Sequence, residues 1–264
     1  MALIHHKDVN RRFQQQVDNA AEYVIPFIEK TVSIQPEMKI MEIGCGEGGV
    51  MIPFLKRGCK VTGVELVEER VVSARAFLSE YLESGQAEIV NMNIYDEQAL
   101  IRYKHAFDLI LLKDVIEHIH DQEKFIPYLQ EFLKPGGRVY FGFPPWYMPH
   151  GGHQQVCHSK ILGAMPYIHL LPVPLYSLLL RVFGEHQNTI DELLEVKSTG
   201  ISIERFERLV SKAGYTTERK THYLLNPIYR FKFGWKPIEQ FSWLARLPFI
   251  RNFFTTCVYY LIRK

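Results

Sequence analysis

KIMEIGCGEGGVMIPFLKRGCKVTGVEL, residues 39–66, decides the fold. KIMEI is short and mostly apolar and runs straight into glycines, the mark of a buried strand entering a tight turn. VMIPFLKRG has helical character, and KVTGVEL is a second strand. Glycines after a strand let the backbone take positive φ and approach a ligand closely. Amides at the start of the following helix then face that ligand. Glu65 ends the second strand about 20 residues on, where a carboxylate can accept both hydroxyls of a ribose. A tight turn followed by an ordinary surface glutamate is the plainer alternative, but position, spacing and strand context together favour a nucleoside site.

Outward from this unit the rhythm repeats. Residues 14–32 are expected to form a helix kinked at Pro26, and 67–84 a second helix with Val71, Ala74, Leu78 and Leu82 on one face. AEIVNMNI (87–94) reads as a third strand. FDLILLKDVI (107–116) is a nearly continuous apolar run, as in a strand buried on both faces of a parallel sheet. Residues 122–133 read as a helix capped by Asp121 and distorted at Pro127, stopped by KPGG, with RVYFGF (138–143) a fifth strand. Strand and helix in alternation mean a doubly wound, mostly parallel α/β sheet with right-handed crossovers and helices on both faces. Beyond residue 145 the rhythm breaks, to return as a helix at 201–214 and a strand at 215–225. TTCVYYLI (255–262) is β-branched and aromatic and reads as a last strand; a basic amphipathic tail on a membrane is the alternative.

The 264 residues are 47% hydrophobic and 23% charged with a net charge of +2, which makes no demand for nucleic acid. Four cysteines without a CxxC pair suggest reduced thiols and a cytoplasmic location. The polar start, MALIHHKDVNRRF, lacks the apolar stretch of a secretion signal. Residues 161–183 are the most apolar segment, yet Pro166, Pro172 and Pro174 cut them and His169 and Arg181 charge them, so no transmembrane span is expected.

Gly44, Gly46 and Gly49 also fit GxGxxG, which leaves a nicotinamide-dependent oxidoreductase as an alternative. Glu42 weighs against it, since a carboxylate beside the turn would repel a pyrophosphate and welcome a cation. Glu42–Gly46 as ExGxG, the acidic strand end at Glu65, NMNIYD at 91–96, FDLILLKDVIEHI at 107–119 and LKPGG at 133–137 together resemble class I S-adenosylmethionine-dependent methyltransferases, in particular small-molecule enzymes of the ubiquinone and menaquinone type. The resemblance implies a Rossmann-like, seven-stranded sheet with its last strand antiparallel, and S-adenosylmethionine as cofactor. It places Gly44, Cys45 and Gly46 beneath the methionine end, Glu65 on the ribose, Leu66 against the adenine, and Asn93 and Ile94 near the adenine amine. Lys113 would present a carbonyl to the cofactor amine, and Arg12 and Phe13 would cap the cofactor.

Two places can serve the acceptor. DVIEH, 114–118, follows the fourth strand; some ubiquinone-pathway O-methyltransferases look similar at Asp114, Glu117 and His118, linked there to a divalent metal. FPPWYMPHGGHQQVCH, 143–158, leaves the fifth strand and offers Trp146 and Tyr147 for stacking and His150, His153, Cys157 and His158 for chemistry. Its spacing fits no closed zinc pattern, so a pocket wall is expected and no metal. His118 and His153 are the expected catalytic residues.

The sequence therefore predicts one methyltransferase domain over 1–264, with 146–200 an inserted lid or acceptor-side segment and 227–250 a smaller connecting one. The acceptor would be a small lipid-like or aromatic hydroxyl compound. A cofactor-binding partner protein without turnover is a further alternative. Residues 161–183 are left as lid, dimer surface, peripheral membrane contact or extra core.

Overall fold

The computed structural model describes residues 8–264, so the first seven residues of the polar start lie outside the described part. Helix α1, Val9–Asn19, begins at Asp8, whose carboxylate accepts the Arg11 amide at 3.0 Å. It continues through a π-helical turn, Ala20–Val24, into Ile25–Glu29. Pro26 supplies no amide hydrogen and crowds the turn before it, so the expected kink takes the form of that wider turn.

Strand β1, Lys39–Ile43, lies parallel between β2, Lys60–Glu65, and β4, Phe107–Lys113, with Ile40 opposite Val61 on one side and Leu109 on the other. β3 is Ala87–Asn91, β5 Leu133–Phe143, β6 Thr216–Leu225, β7 Ile238–Glu239 and β8 Cys257–Arg263. The sheet order is β3-β2-β1-β4-β5-β8-β6-β7. β1 to β5 are parallel, and β8 enters antiparallel between β5 and β6. The expected reversed last strand is present and its residues are buried, so 255–262 is not a surface tail. The sheet has eight strands instead of seven, the addition being the two-residue β7 at the edge.

Side chains alternate between two cores, as strand geometry requires. Ile40, Leu109, Leu111, Tyr140 and Tyr259 face α1 and its extension, where Phe27 packs edge-on to both tyrosines. Met41, Ile110, Phe141, Val258 and Tyr260 face helix α2, Ile203–Lys212, through Phe206.

Two expected elements differ in extent. The helix expected over 67–84 breaks at Leu78, which is fully buried and leaves the helical backbone region at φ −107°. A Cβ on Gly48 would lie 2.3 Å from the Leu78 side chain, so Leu78 is drawn in against the glycine turn at the cost of a straight helix. LKPGG is the beginning of β5, pinned where Leu133 pairs with Phe107; the Gly and Pro end the helix, but the strand starts at once.

Residues 146–200 carry a small core of their own, with Cys157, Leu162, Ile168, Tyr176, Leu180 and Leu193. Two longer helices frame it: α3, Val173–Val182, and α4, Gln187–Thr199. Among the described residues no helix is long and apolar enough to cross a membrane. All four cysteines are free and buried.

Candidate active site

Beyond β1 the chain turns through Gly44 at φ +70° and Gly46 at φ +54°. A side chain at Gly44 would be strained by that backbone and would place its Cβ 2.7 Å from a Val115 methyl. The turn is therefore built for close approach. Arg12 of α1 forms an ion pair with Glu47, strapping the N-terminal helix across it.

A cavity of 690 Å³ opens where β1, β4 and β5 end. Carboxyl ends of strands are where ligands sit on such sheets. Glu42, Gly44, Cys45 and Gly46 form one side, Lys113, Asp114, Glu117 and His118 the next, and Trp146, His150 and His153 a third. A fourth side comes from far along the chain: Asn226, Tyr229, Lys232 and Trp235. Of the expected cofactor residues, Glu65, Leu66, Asn93 and Ile94 do not line it. They lie at the ends of β2 and β3, with Glu65 touching the glycine turn: its carboxylate accepts the Gly46 amide at 2.8 Å and those of Leu66 and Val67 at 2.9 and 3.0 Å. Leu66 is exposed, and Asn93 is occupied as a turn residue, its side-chain oxygen accepting the Tyr95 amide at 3.0 Å.

Glu42 is buried and one of its oxygens has no hydrogen-bond partner. Burial pushes its pKa well up, the Glu65 charge adds to that, and Lys113 counteracts it. The Lys113 ammonium is itself buried and paired with Asp114, which turns toward it from a left-handed backbone at φ +56°. Phe13, instead of facing the cavity, stacks on Phe77 with ring centres 4.1 Å apart.

The histidine loop divides. His158 leaves the site for Glu185, which meets its ring at 3.3 Å and its amide at 3.0 Å; Cys157 is buried in the insertion's core. Trp146 is walled in, edge-on to His169 and against Gly200, while Tyr147 packs on Phe253. His153, at φ +57°, meets His118 edge to face with ring centres 4.8 Å apart. Desolvation lowers the pKa of His118. The two expected catalytic histidines, 35 positions apart in sequence, are therefore neighbours.

Beside them lies Glu117, buried, with neither carboxylate oxygen hydrogen-bonded. Burial raises its pKa well up, and Asp114 adds to it. Glu117, His118 and His153 each offer one ligand atom, all within 4.8 Å of one another. His153 thus stands in this group where the resemblance implied Asp114. The turn is clamped from the insertion: the Thr199 hydroxyl donates to the Glu117 carbonyl at 2.6 Å, and the Gln122 amide bridges the carbonyls of Ile116 and Thr199. Thr199, Gln122, Tyr229 and Lys232 escaped sequence reading because no local pattern connects them to the strand ends.

A glycine turn ending β1, an acidic residue ending β2 and an antiparallel β8 beside β5 define a Rossmann-like methyltransferase fold. A family model described as a methyltransferase domain matches residues 11–160, and the chain belongs to that family, whose cofactor is S-adenosylmethionine. The ubiquinone biosynthesis O-methyltransferase of Idiomarina loihiensis is 32% identical over 103 residues, 39% of this chain and 41% of that protein. That of Leptothrix cholodnii is 28% identical over 114 residues, 43% of this chain and 47% of that protein. The matches thus span less than half the length of these curated relatives. Geranyl diphosphate C-methyltransferase from Streptomyces coelicolor, solved with Mg2+, geranyl diphosphate and S-adenosyl-L-homocysteine, superposes with a TM-score of 0.55 at 15% identity, covering 90% of this chain and 77% of that one. Phosphoethanolamine N-methyltransferase 2 from Haemonchus contortus, solved with S-adenosyl-L-methionine, gives 0.54 at 16%, covering 90% and 51%. At these identities the likeness is one of fold. The nicotinamide reading of the glycine turn gives way to the methyltransferase family.

Proposed function

We propose that the protein transfers the methyl group of S-adenosylmethionine to a hydroxyl oxygen of a small apolar or aromatic acceptor. The observation that carries this reading is the His118–His153 pair, facing the cavity that the glycine turn also lines. The chain's residues fit the cofactor. A Cβ at Gly46 would meet nothing within 4 Å, so open space borders the turn there, and the unpartnered Glu42 oxygen offers a negative partner to a cation. Glu65 is the ribose acceptor, and Leu66, Asn93 and Ile94 flank the adenine.

When bound, S-adenosylmethionine supplies an electrophilic methyl group on a sulfonium. The protein's task is alignment and exclusion of water, since effective molarity supplies most of the gain in such transfers. His153 or His118 would take the hydroxyl proton of the acceptor; the oxygen would gain the methyl carbon as that carbon's bond to sulfur breaks, with S-adenosylhomocysteine as the leaving group. Tyr229 and Trp235 give the acceptor an apolar wall. That the curated relatives are named O-methyltransferases supports oxygen as the accepting atom.

The test is transfer of labelled methyl from S-adenosylmethionine to a panel of phenols and apolar alcohols. His153→Ala and His118→Ala should lose transfer while keeping affinity for S-adenosylhomocysteine. Cofactor binding without transfer to any hydroxyl would instead favour a partner protein without turnover.

One observation favours a second reading of the same trio. A buried carboxylate without partners beside two imidazoles suits a divalent cation, which would lower the acceptor's pKa. Calorimetric titration of the protein with Mg2+ or Zn2+ alone distinguishes it: binding lost in Glu117→Gln supports a cation, and absence of binding leaves the histidines as bases.

A further inference from the structure

Two segments that each send residues into the cavity lining also place apolar side chains in water. On α3, Leu175, Leu178 and Val182 point outward although Tyr176 and Leu180 of the same helix are fully buried. Between β7 and β8, Trp243 is 65% exposed and Phe249 68%, with Phe241 and Ile250 about half exposed or more, as is Trp235 just before β7. The segments meet at Phe253: the Tyr167 hydroxyl donates to its carbonyl at 2.9 Å, and Tyr147 and Tyr167 pack on its ring. Both reach the cavity, one through Gly163 and Ala164, the other through Phe233 and Trp235.

This exposure is held in place. Phe249 sits at φ +61°, a conformation that a bulky residue adopts only when its surroundings impose it. Glu204 of α2 imposes it, accepting the Phe249 amide at 2.9 Å, the Asn252 side chain at 2.6 Å and Arg251 at 2.9 Å. A half-buried ionic anchor thus presents an aromatic ring to solvent. Cations outnumber acids within these two segments. Residues 160–183 contain no acidic side chain, and residues 227–254 contain Glu239 alone, whereas Lys160, Arg181, Lys236 and Arg246 are all exposed. Aromatic rings interleaved with cations match the boundary of a bilayer carrying anionic headgroups, where ring bodies enter the acyl region and cations meet phosphates. A second protein copy would carry the same positive charge to this face.

We infer that this face docks the protein on anionic membrane surfaces, with the mouth of the cavity turned toward the lipid. The inference stands apart from the acceptor assignment, because vesicle binding needs neither cofactor nor acceptor. The test is flotation with vesicles of phosphatidylcholine alone or with about one third phosphatidylglycerol, together with tryptophan emission and quenching by brominated lipid. Expected are binding to the anionic vesicles, a blue shift from Trp235 and Trp243, and weakening by salt. Trp243→Glu should abolish the binding; far-UV circular dichroism verifies its fold. Lys236→Gln with Arg246→Gln, which leaves the apolar surface intact, should weaken it about 25-fold, at about fivefold for each cation. No binding to anionic vesicles, or wild-type binding by Trp243→Glu, would overturn the inference. So would a dimer in sedimentation velocity that Trp243→Glu dissociates while vesicles remain unbound.

Discussion

Replacing Glu65 with alanine tests two things at once, because its carboxylate already has a structural task. Three backbone amides donate to it, at 2.8, 2.9 and 3.0 Å. Leu66 and Val67 are exposed, so their amides can turn to water; Gly46 is buried and its amide would be orphaned. One lost charge-assisted bond with an orphaned donor costs about 1.5–3 kcal/mol, and the two solvated amides bring the loss of stability to about 3 kcal/mol. For a chain of this size that is a drop in Tm of about 6–12 °C. The ribose hydroxyls would lose two further bonds, so S-adenosylhomocysteine should bind about 3 kcal/mol more weakly, roughly 150-fold. Calorimetric titration well below the variant's Tm, with urea denaturation in parallel, separates the two effects. Affinity within threefold of wild type, in a variant shown to be folded, would refute the placement of the ribose. A weakened cofactor without any loss of stability would refute the account of the Gly46 amide.

Other consequences are open to measurement. His153→Ala should cut kcat by about 100-fold or more with the cofactor Kd unchanged, as removal of a general base does. Glu42 has a raised pKa, so a cation bound beside it should expel its proton: S-adenosylmethionine titrated in buffers of different ionisation enthalpy should show proton release that fades as pH rises and disappears in Glu42→Gln. Gly44→Ala should weaken the cofactor and cost about 1–2 kcal/mol for its positive φ; Val115→Ala should recover the steric part and leave the backbone part. His222 is buried, and its pKa is pushed down to about 4, first by burial and then by Arg251 and Lys220. A depressed base stays neutral in the fold while the unfolded chain protonates near 6.5. Stability should therefore fall by about 3 kcal/mol as the pH drops from 6.5 toward 4, seen as a shift in urea midpoint that His222→Asn flattens.

The parallel half of the sheet was legible because β1, β2 and β4 are short runs whose burial on both faces leaves little room for polar residues. β7 was not, since two residues held by β6 carry no periodicity. LKPGG misled because Gly and Pro signal only that a helix ends, whereas the pairing of Leu133 with Phe107 is a matter of register. At the site, Glu42, Gly44, Lys113 and His118 follow from their positions at or soon after the ends of β1 and β4, and His153 from the loop that leaves β5. That Asp114 turns to Lys113, leaving Glu117 beside His153, depends on a left-handed backbone and a clamp from Thr199, 82 residues away. Leu66 and Asn93 were assigned by motif alone, and the geometry puts them outside the cavity.

The position of β8 bears on how the chain assembles. Strands β1 to β5 have all their mutual neighbours once residue 143 has been made, so the nucleoside half can organise early. Among the described residues β6 pairs with β7 and β8 alone, and the wall bearing Tyr229 and Lys232 follows it, packed on the N-terminal helix through Gln15 to the Phe231 carbonyl and Arg230 to Glu22. During synthesis the strand before that wall must wait for its sheet neighbour until residues 257–263 slide in antiparallel beside Phe143. A ribosome-stalled chain lacking those residues should bind cofactor weakly if at all and expose its unpaired β5 edge, which makes the interval before closure the one in which a chaperone would matter most.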